Sequence, residues 1–396
     1  MRVLYCTDTY PPQVNGVSVV TSLSVAGLRE RGWDCHVIAP RYPSERPSVF
    51  LEARDARLTV LPSAPLPIYP DVRLSLPDYG RVRRAIARTK PDLVHCETEF
   101  IIGRMGQAAA ARSGIPFVTS YHTDFAKYVV AYGFPRLAAP VSAYLARFHR
   151  RALRTYTPSV PARDELWRLG VEDVEVWGRG VDTTRFHPEL RSAELRSRLG
   201  LGDAFTFLYV GRVASEKGVD VVLEAFRRFE AHAPGAARLV IAGEGPDLQQ
   251  LQAQAPPGTV FLGYLDRARD LPALYASSDA FVFASTTETL GLVVLEAMAS
   301  ALPVIASPAG GVSDNLRDNE NGLACAAGDA EAFARAMSRL VEDRDLAARL
   351  SEGARRTAEG RTWDGELDRL DASYREVCAE TVAWRSFVPL QLQGTR

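Results

Sequence analysis

The stretch Glu288-Thr-Leu-Gly-Leu-Val-Val-Leu-Glu296 follows an apolar strand pattern at 280–284 and a polar turn at 285–287, and its apolar run reads as a helix. Glu296 is the one charge between Leu292 and Ala299, and a carboxylate inside a buried helix is costly unless something pairs with it. The rise between the two glutamates is roughly 12 Å, about the reach from one end of a nucleoside-diphosphate sugar toward the other. Both carboxylates are then placed to accept from sugar hydroxyls, Glu288 on a transferred sugar and Glu296 on a ribose. The helix N-terminus between them, at Gly291 and Leu292, offers backbone N–H groups to a diphosphate. The alternative is a capping glutamate at 288 and a core glutamate at 296 paired with an arginine.

Outward from this segment, strand and helix patterns alternate. Strands are expected at 3–7, 34–39, 58–61, 93–97 and 117–121, then at 154–157 and 174–177. A second series follows at 206–210, 238–242, 260–262, 280–284 and 304–307. Helical patterns fill the intervals, as at 17–31, 219–232 and 330–342. Such alternation implies parallel sheets with crossover helices, and two series imply two sheets joined near 178–182. Ligands of open α/β sheets bind beyond the carboxyl ends of the strands, so the expected site is the cleft between the sheets.

The 396 residues, 46% hydrophobic and 24% charged, fit a two-domain α/β protein. No apolar run approaches the roughly 20 residues that span a bilayer, and no leader pattern opens the chain. Five scattered cysteines without paired spacing point to reduced thiols and a cytoplasmic setting. No metal site is visible; Asp343-Arg-Asp345 reads as solvated surface in a charged helical stretch. Residues 1–180 carry 24 Lys or Arg against 17 Asp or Glu, and the remainder 23 against 31. A basic front half favours an anionic surface or acceptor.

Three loops end strands. Asp8-Thr-Tyr-Pro-Pro-Gln-Val-Asn15-Gly16 leads into a helix, where Gly16 lets backbone approach a phosphate, unless it is a plain Asn-Gly turn. Gly211-Arg212-Val-Ala-Ser-Glu-Lys217-Gly218 lacks the full phosphate-loop pattern of nucleoside triphosphatases. Arg212 and Lys217 suit the charge of a diphosphate leaving group, with an exposed surface pair as the alternative. Ser307-Pro-Ala-Gly310-Gly311 reads as a tight turn near the same cleft. In Ser120-Tyr-His122-Thr-Asp124-Phe125, His122 directly follows an apolar strand and suits a substrate contact or proton transfer, with Asp124 as neighbour. The other histidines have no such setting.

Together these segments resemble retaining glycosyltransferases of family 4, with the GT-B fold. The resemblance runs through Asn15-Gly16, residues 120–124, Gly180-Val-Asp182, residues 211–218, Gly243-Glu-Gly-Pro246, Phe261-Leu-Gly263, residues 288–296 and the closing Trp363 to Tyr374 stretch. It implies an acceptor-binding Rossmann-like domain at 1–179, a nucleotide-sugar-binding one at 180–365, and a segment 366–396 crossing back onto the first. It further implies Gly16, Arg212, Lys217, Gly291 and Leu292 at the donor diphosphate and Glu288 and His122 at the sugar. Glu296 falls to the ribose, Gly263, Tyr264 and Leu265 to the nucleobase, and Tyr10 and Asp124 to the acceptor. The donor is expected to be a UDP- or GDP-hexose, with no cofactor or metal required and no nucleic-acid partner. Within the family, the Tyr-His-Thr-Asp-Phe run resembles lipid mannosyltransferases and sulfolipid-synthase-like enzymes.

No pair of carboxylates is placed as nucleophile and acid in the manner of glycosidases. Retention then implies front-face substitution, with the departing diphosphate taking the acceptor's proton. A soluble or polysaccharide acceptor, a GT-B nucleotide-sugar epimerase and a binding-only protein are the competing readings. For the acceptor, a helix at 137–155 carries Arg147, His149, Arg150, Arg151 and Arg154 with no acid, and Arg81, Arg83, Arg84, Arg88 and Lys90 lie in the same half. Such a face suits anionic headgroups and a lipid acceptor on the inner face of the cell membrane, the alternative being a packed helix with solvated arginines.

Overall fold

In the first half of the chain, short apolar runs form β1 (Arg2–Cys6), β2 (Asp34–Pro40) and β3 (Arg57–Leu61), then an antiparallel hairpin of β4 (Ser63–Leu66) and β5 (Tyr69–Ser75). With β6 (Leu93–Cys96), β7 (Phe117–Ser120), β8 (Thr155–Thr157) and β9 (Val174–Val176), they give a seven-stranded parallel sheet ordered β3-β2-β1-β6-β7-β8-β9. The second half builds β10 (Phe205–Val210), β11 (Ala237–Ala242), β12 (Thr259–Gly263), β13 (Ala280–Phe283), β14 (Val304–Ala306) and β15 (Gly322–Ala324), ordered β12-β11-β10-β13-β14-β15. The computed structural model describes residues 1–13, 15–43, 57–66, 69–131, 133–178, 180–286, 288 and 291–387.

Both sheets are covered on two faces, which is why their strands read as nearly unbroken apolar runs. On β1, Val3 and Tyr5 join one core with helix Gly16–Glu30, while Leu4 and Cys6 join another with helices Tyr79–Thr89 and Ile101–Arg112. The strand order reverses between β1 and β6 and again between β10 and β13. Reversal sends the flanking crossovers to opposite faces and leaves a crevice at the carboxyl ends of those strands.

The last helix, Trp363–Phe387, begins three residues before the expected crossing point and lies against the first sheet. Its Leu370, Tyr374 and Val377 share a core with Val3, Tyr5 and Val37. Arg31 pairs with Asp368 at 2.8 Å, Trp33 Nε1 donates to Asp371 at 2.6 Å, and Arg154 reaches Glu376 at 2.7 Å. A Cβ on Gly27 would sit 2.2 Å from Leu367 Cδ1, so glycine is what lets the two helices meet.

Two sequence expectations need correction. The β4–β5 hairpin was not foreseen, because Pro65 and Pro70 weaken a strand pattern; β15, three residues long, is too short to show one. Asp343 is exposed, as expected of a solvated surface acid; it ends helix Ala330–Glu342 and caps helix Arg344–Glu359 by accepting from Leu346 N at 2.8 Å. The basic stretch at 137–155 is a 3-10 turn (Pro135–Leu137) and a helix that stops at His149, with β8 starting at Thr155. Within it His149 is buried against Thr119, Arg150 donates to Gly170 O, and Arg154 pairs with Glu175 and Glu376, so these three do not share one open basic face.

Since Leu370 is fully buried, Leu370→Ala is expected to lower unfolding free energy by about 2–5 kcal/mol. A urea midpoint equal to wild type would show that the last helix is not integral to the first domain's core.

Candidate active site

The loop after β10 turns through a 3-10 helix (Ser215–Lys217) and Gly218 into helix Val219–His232. Gly218 has φ +66°, and a Cβ there would lie 2.5 Å from Ala284 O, so the loop is pressed onto the end of β13. That contact sets Lys217 beside the segment after β13. Lys217 Nζ donates to Glu288 Oε2 at 2.9 Å, and Gly291 N donates to Glu288 Oε1 at 3.1 Å. Glu288 is thus held between the residue that precedes helix Leu292–Ala299 and a mostly buried lysine. Burial works against the Lys217 ammonium, but Glu288 and, from the first domain, Tyr128 outweigh it and hold its pKa above the ordinary value. Arg212 Nη1 lies 3.6 Å from the buried Glu216, and Gly311 N donates to Glu288 O at 2.9 Å, bringing the 307–311 turn against the same loop.

Glu296, four residues into the helix, is buried and its partners are named by the structure. Arg267 approaches Oε1 at 2.6 Å, and the Tyr275 hydroxyl donates to Oε2 at 3.2 Å. Arg267 follows Gly263, Tyr264 and Leu265 in the loop leaving β12, so that segment and Glu296 are tied together. Tyr264 is half exposed there, while Leu265 packs on the second-domain core.

On the first domain, Asn15 caps helix Gly16–Glu30: Ser18 N donates to Asn15 Oδ1 at 2.9 Å and Asn15 N to Ser18 Oγ at 3.1 Å. The Asn15-Gly16 pair is therefore a helix start rather than a free turn. Asp8 anchors the same loop by accepting from Ile102 N at 3.0 Å and Thr98 Oγ1 at 2.7 Å. Leu292, first residue of the second-domain helix, packs in one cluster with Tyr10 and Val19. Two helix N-termini, one from each domain, consequently meet at the cleft. Tyr10 is buried in that junction.

His122 sits just past β7, but its partner is not Asp124. His122 Nε2 donates to Glu97 Oε1 at 2.9 Å, while Asp124 accepts from Lys127 N at 3.1 Å and pairs with Lys127 Nζ at 3.0 Å. Nor is His122 alone in its setting: His95 Nε2 lies 3.0 Å from Glu97 Oε2, and His149 Nε2 lies 3.4 Å from Glu99 Oε1. The available signal was His95-Cys-Glu97-Thr-Glu99, alternating polar groups at the end of an apolar strand. Among the described residues no group of three His, Cys, Asp or Glu is placed to hold a metal ion.

Two facing Rossmann-like domains, with helix N-termini and paired charges meeting between them, give the GT-B fold of a glycosyltransferase. Residues 14–185 match the family model described as Glycosyltransferase Family 4, and residues 192–357 that of Glycosyl transferases group 1. The chain belongs to this family. It is 36% identical to a GDP-mannose-dependent alpha-mannosyltransferase of Mycobacterium tuberculosis, over 95% of this chain and 97% of that protein. It is 31% identical to the alpha-monoglucosyldiacylglycerol synthase of Streptococcus pneumoniae, over 77% and 71%. The fold matches sucrose-phosphate synthase from Thermosynechococcus elongatus with a TM-score of 0.78 at 20% identity, covering 96% and 99% of the two chains.

A lysine contact to a diphosphate is a charge-assisted bond of about 1.5–3 kcal/mol. Lys217→Ala is expected to weaken nucleoside-diphosphate binding by calorimetry about tenfold or more and to slow transfer; unchanged affinity would remove Lys217 from the donor site.

Proposed function

We propose that this enzyme transfers a hexosyl group, with retention and without a metal, from a GDP- or UDP-sugar to a hydroxyl of a membrane lipid. The observation that carries the donor half is the Lys217–Glu288 pair at the N-terminus of helix Leu292–Ala299, facing the start of helix Gly16–Glu30. Arg212, Lys217 and the backbone at Gly16, Gly291 and Leu292 receive the diphosphate. Glu288 and His122 contact the sugar, and Glu296, steadied by Arg267, faces the ribose, with residues 263–265 at the base. Asp124 and Tyr10, on the first-domain side of the cleft, are assigned to the acceptor.

The chemistry follows from how Glu288 is held. Both of its oxygens are engaged, one by an ammonium and one by a backbone N–H, which makes it a poor nucleophile. The bond from the anomeric carbon to the diphosphate breaks while the acceptor oxygen bonds on the same face, and the hydroxyl proton passes to the departing phosphate oxygen. Cations and helix N-termini aimed at the leaving group supply the stabilisation.

The lipid half rests on four helices of the first domain. Helices Tyr79–Thr89, Ile101–Arg112, Phe125–Ala131 and Ala138–His149 contain no Asp or Glu. Here Val130, Phe134 and Leu137 are 48%, 60% and 50% exposed, beside the exposed Arg136, Arg147 and Arg151. The segment continues directly from His122, so lipid held there lies next to the reacting centre. A GDP-mannose-dependent enzyme and a diacylglycerol glucoside synthase among the relatives support both halves.

The test is transfer from GDP-mannose and UDP-glucose into vesicles containing diacylglycerol and phosphatidylglycerol. An early product with the donor's anomeric configuration by proton NMR, formed equally in EDTA, is expected; inversion, or loss in EDTA restored by magnesium, overturns the mechanism. Each basic residue near an anionic surface contributes about 1 kcal/mol. The protein should therefore sediment with anionic vesicles in a salt-sensitive way and far less with neutral ones; indifference to both would leave a transferase with a soluble acceptor.

A further inference from the structure

A buried polar chain runs from His122 to the last helix, and the transfer reaction as described makes no use of it. Glu97, directly after β6, is enclosed on all sides. Its Oε1 accepts from His122 Nε2 at 2.9 Å and from Thr21 Oγ1 at 3.2 Å, and its Oε2 faces His95 Nε2 at 3.0 Å. His95 in turn hydrogen-bonds Ser120 Oγ at 2.8 Å through Nε2 and the Tyr374 hydroxyl through Nδ1. Tyr374 lies 2.9 Å, oxygen to oxygen, from Tyr5. No member is more than 3% exposed. Burial alone would raise the Glu97 carboxyl, but His95 and His122 together hold it well below the ordinary range.

A packing role by itself needs no charge here; a shape-matched apolar group would serve the fold as well or better. What a carboxylate does that an apolar group cannot is fix an imidazole. By accepting at Nε2 it sets the ring's rotation and decides which nitrogen carries the hydrogen. It is itself out of reach of any substrate. Thr21, which also donates to Glu97, belongs to the helix that starts at Gly16, so the same carboxylate links the diphosphate helix to the sugar-facing histidine.

We propose that Glu97 is a positioning residue of the transfer reaction, fixing the tautomer and orientation of His122, and that the His95–Tyr374 contact makes docking of the last helix part of that fixation. The inference rests on the reading that His122 contacts the sugar.

Three variants test it in the vesicle assay with GDP-mannose and UDP-glucose. Glu97→Gln keeps the size of the side chain but not the charge. Its kcat should fall about 10- to 100-fold, while donor KM moves less than about twofold, since the group acts on orientation rather than ground-state binding. In histidine-¹⁵N-labelled protein, the His122 ring signal should lose its Nε2–H signature. Tyr374→Phe removes one hydroxyl at the far end of the chain and should lower kcat about 3- to 10-fold with donor KM unchanged; it decides the matter if Glu97→Gln does not fold. His122→Ala separates the two claims. If His122→Ala is inactive while the folded Glu97→Gln, or Tyr374→Phe in its place, turns over at the wild-type rate, the positioning role is wrong and the site reading stands. If His122→Ala turns over normally, the site reading fails and this inference with it.

Discussion

Every strand in both large sheets runs parallel to its neighbours, and that constraint governs the rest of the molecule. A parallel strand cannot turn back on itself, so each must be followed by a crossover, and all carboxyl ends of one sheet emerge on one edge. The loops after β1, β6 and β7 share an edge in the first domain, as do those after β10, β12 and β13 in the second. Residues more than a hundred positions apart in the chain therefore reach one cleft without any loop having to be long. The last helix completes the arrangement by returning from Thr362, bridged to Val181, onto the first sheet.

Charge at the cleft is matched rather than merely accumulated. Three buried or nearly buried carboxylates each have a dedicated counterpart: Glu288 has Lys217, Glu296 has Arg267, and Glu97 has two histidines. An unpaired carboxylate at any of these places would be strongly disfavoured. Pairing fixes the orientation of these side chains, Lys217 among them, within the fold. The same logic separates the last helix from four others of the first domain. The last helix brings Asp368 onto Arg31 and Glu376 onto Arg154, whereas the helices Tyr79–Thr89, Ile101–Arg112, Phe125–Ala131 and Ala138–His149 carry no acid.

The alternating pattern was enough to place twelve strands, because burial on both faces writes itself into the chain as runs of apolar residues. The hairpin escaped because proline obscures strand periodicity, and β15 because three residues carry no period. At the site, the types and spacing of residues 211–218 and 288–296 pointed to the cleft, and a lone charge in an apolar helix announced that Glu296 must have a partner. Neither signal named that partner. Arg267 lies 29 residues upstream and reaches Glu296 only because β12 ends near the helix that follows β13.

His122 makes the division clearest. Its type and its position after an apolar strand were properties of the sequence, and they pointed to the cleft. The sequence offered Asp124 as its neighbouring acid, whereas the carboxylate it meets in the fold is Glu97. β6 and β7 pair with His95 opposite Val118, so their ends lie side by side and Glu97 stands next to His122. The sequence by itself determined the elements, the parallel topology and the loops that carry the chemistry, since these follow from local periodicity and residue type. Only the tertiary structure decided which charge neutralises which, because strand register and the return of the last helix set those distances, and neither is encoded in neighbouring residues.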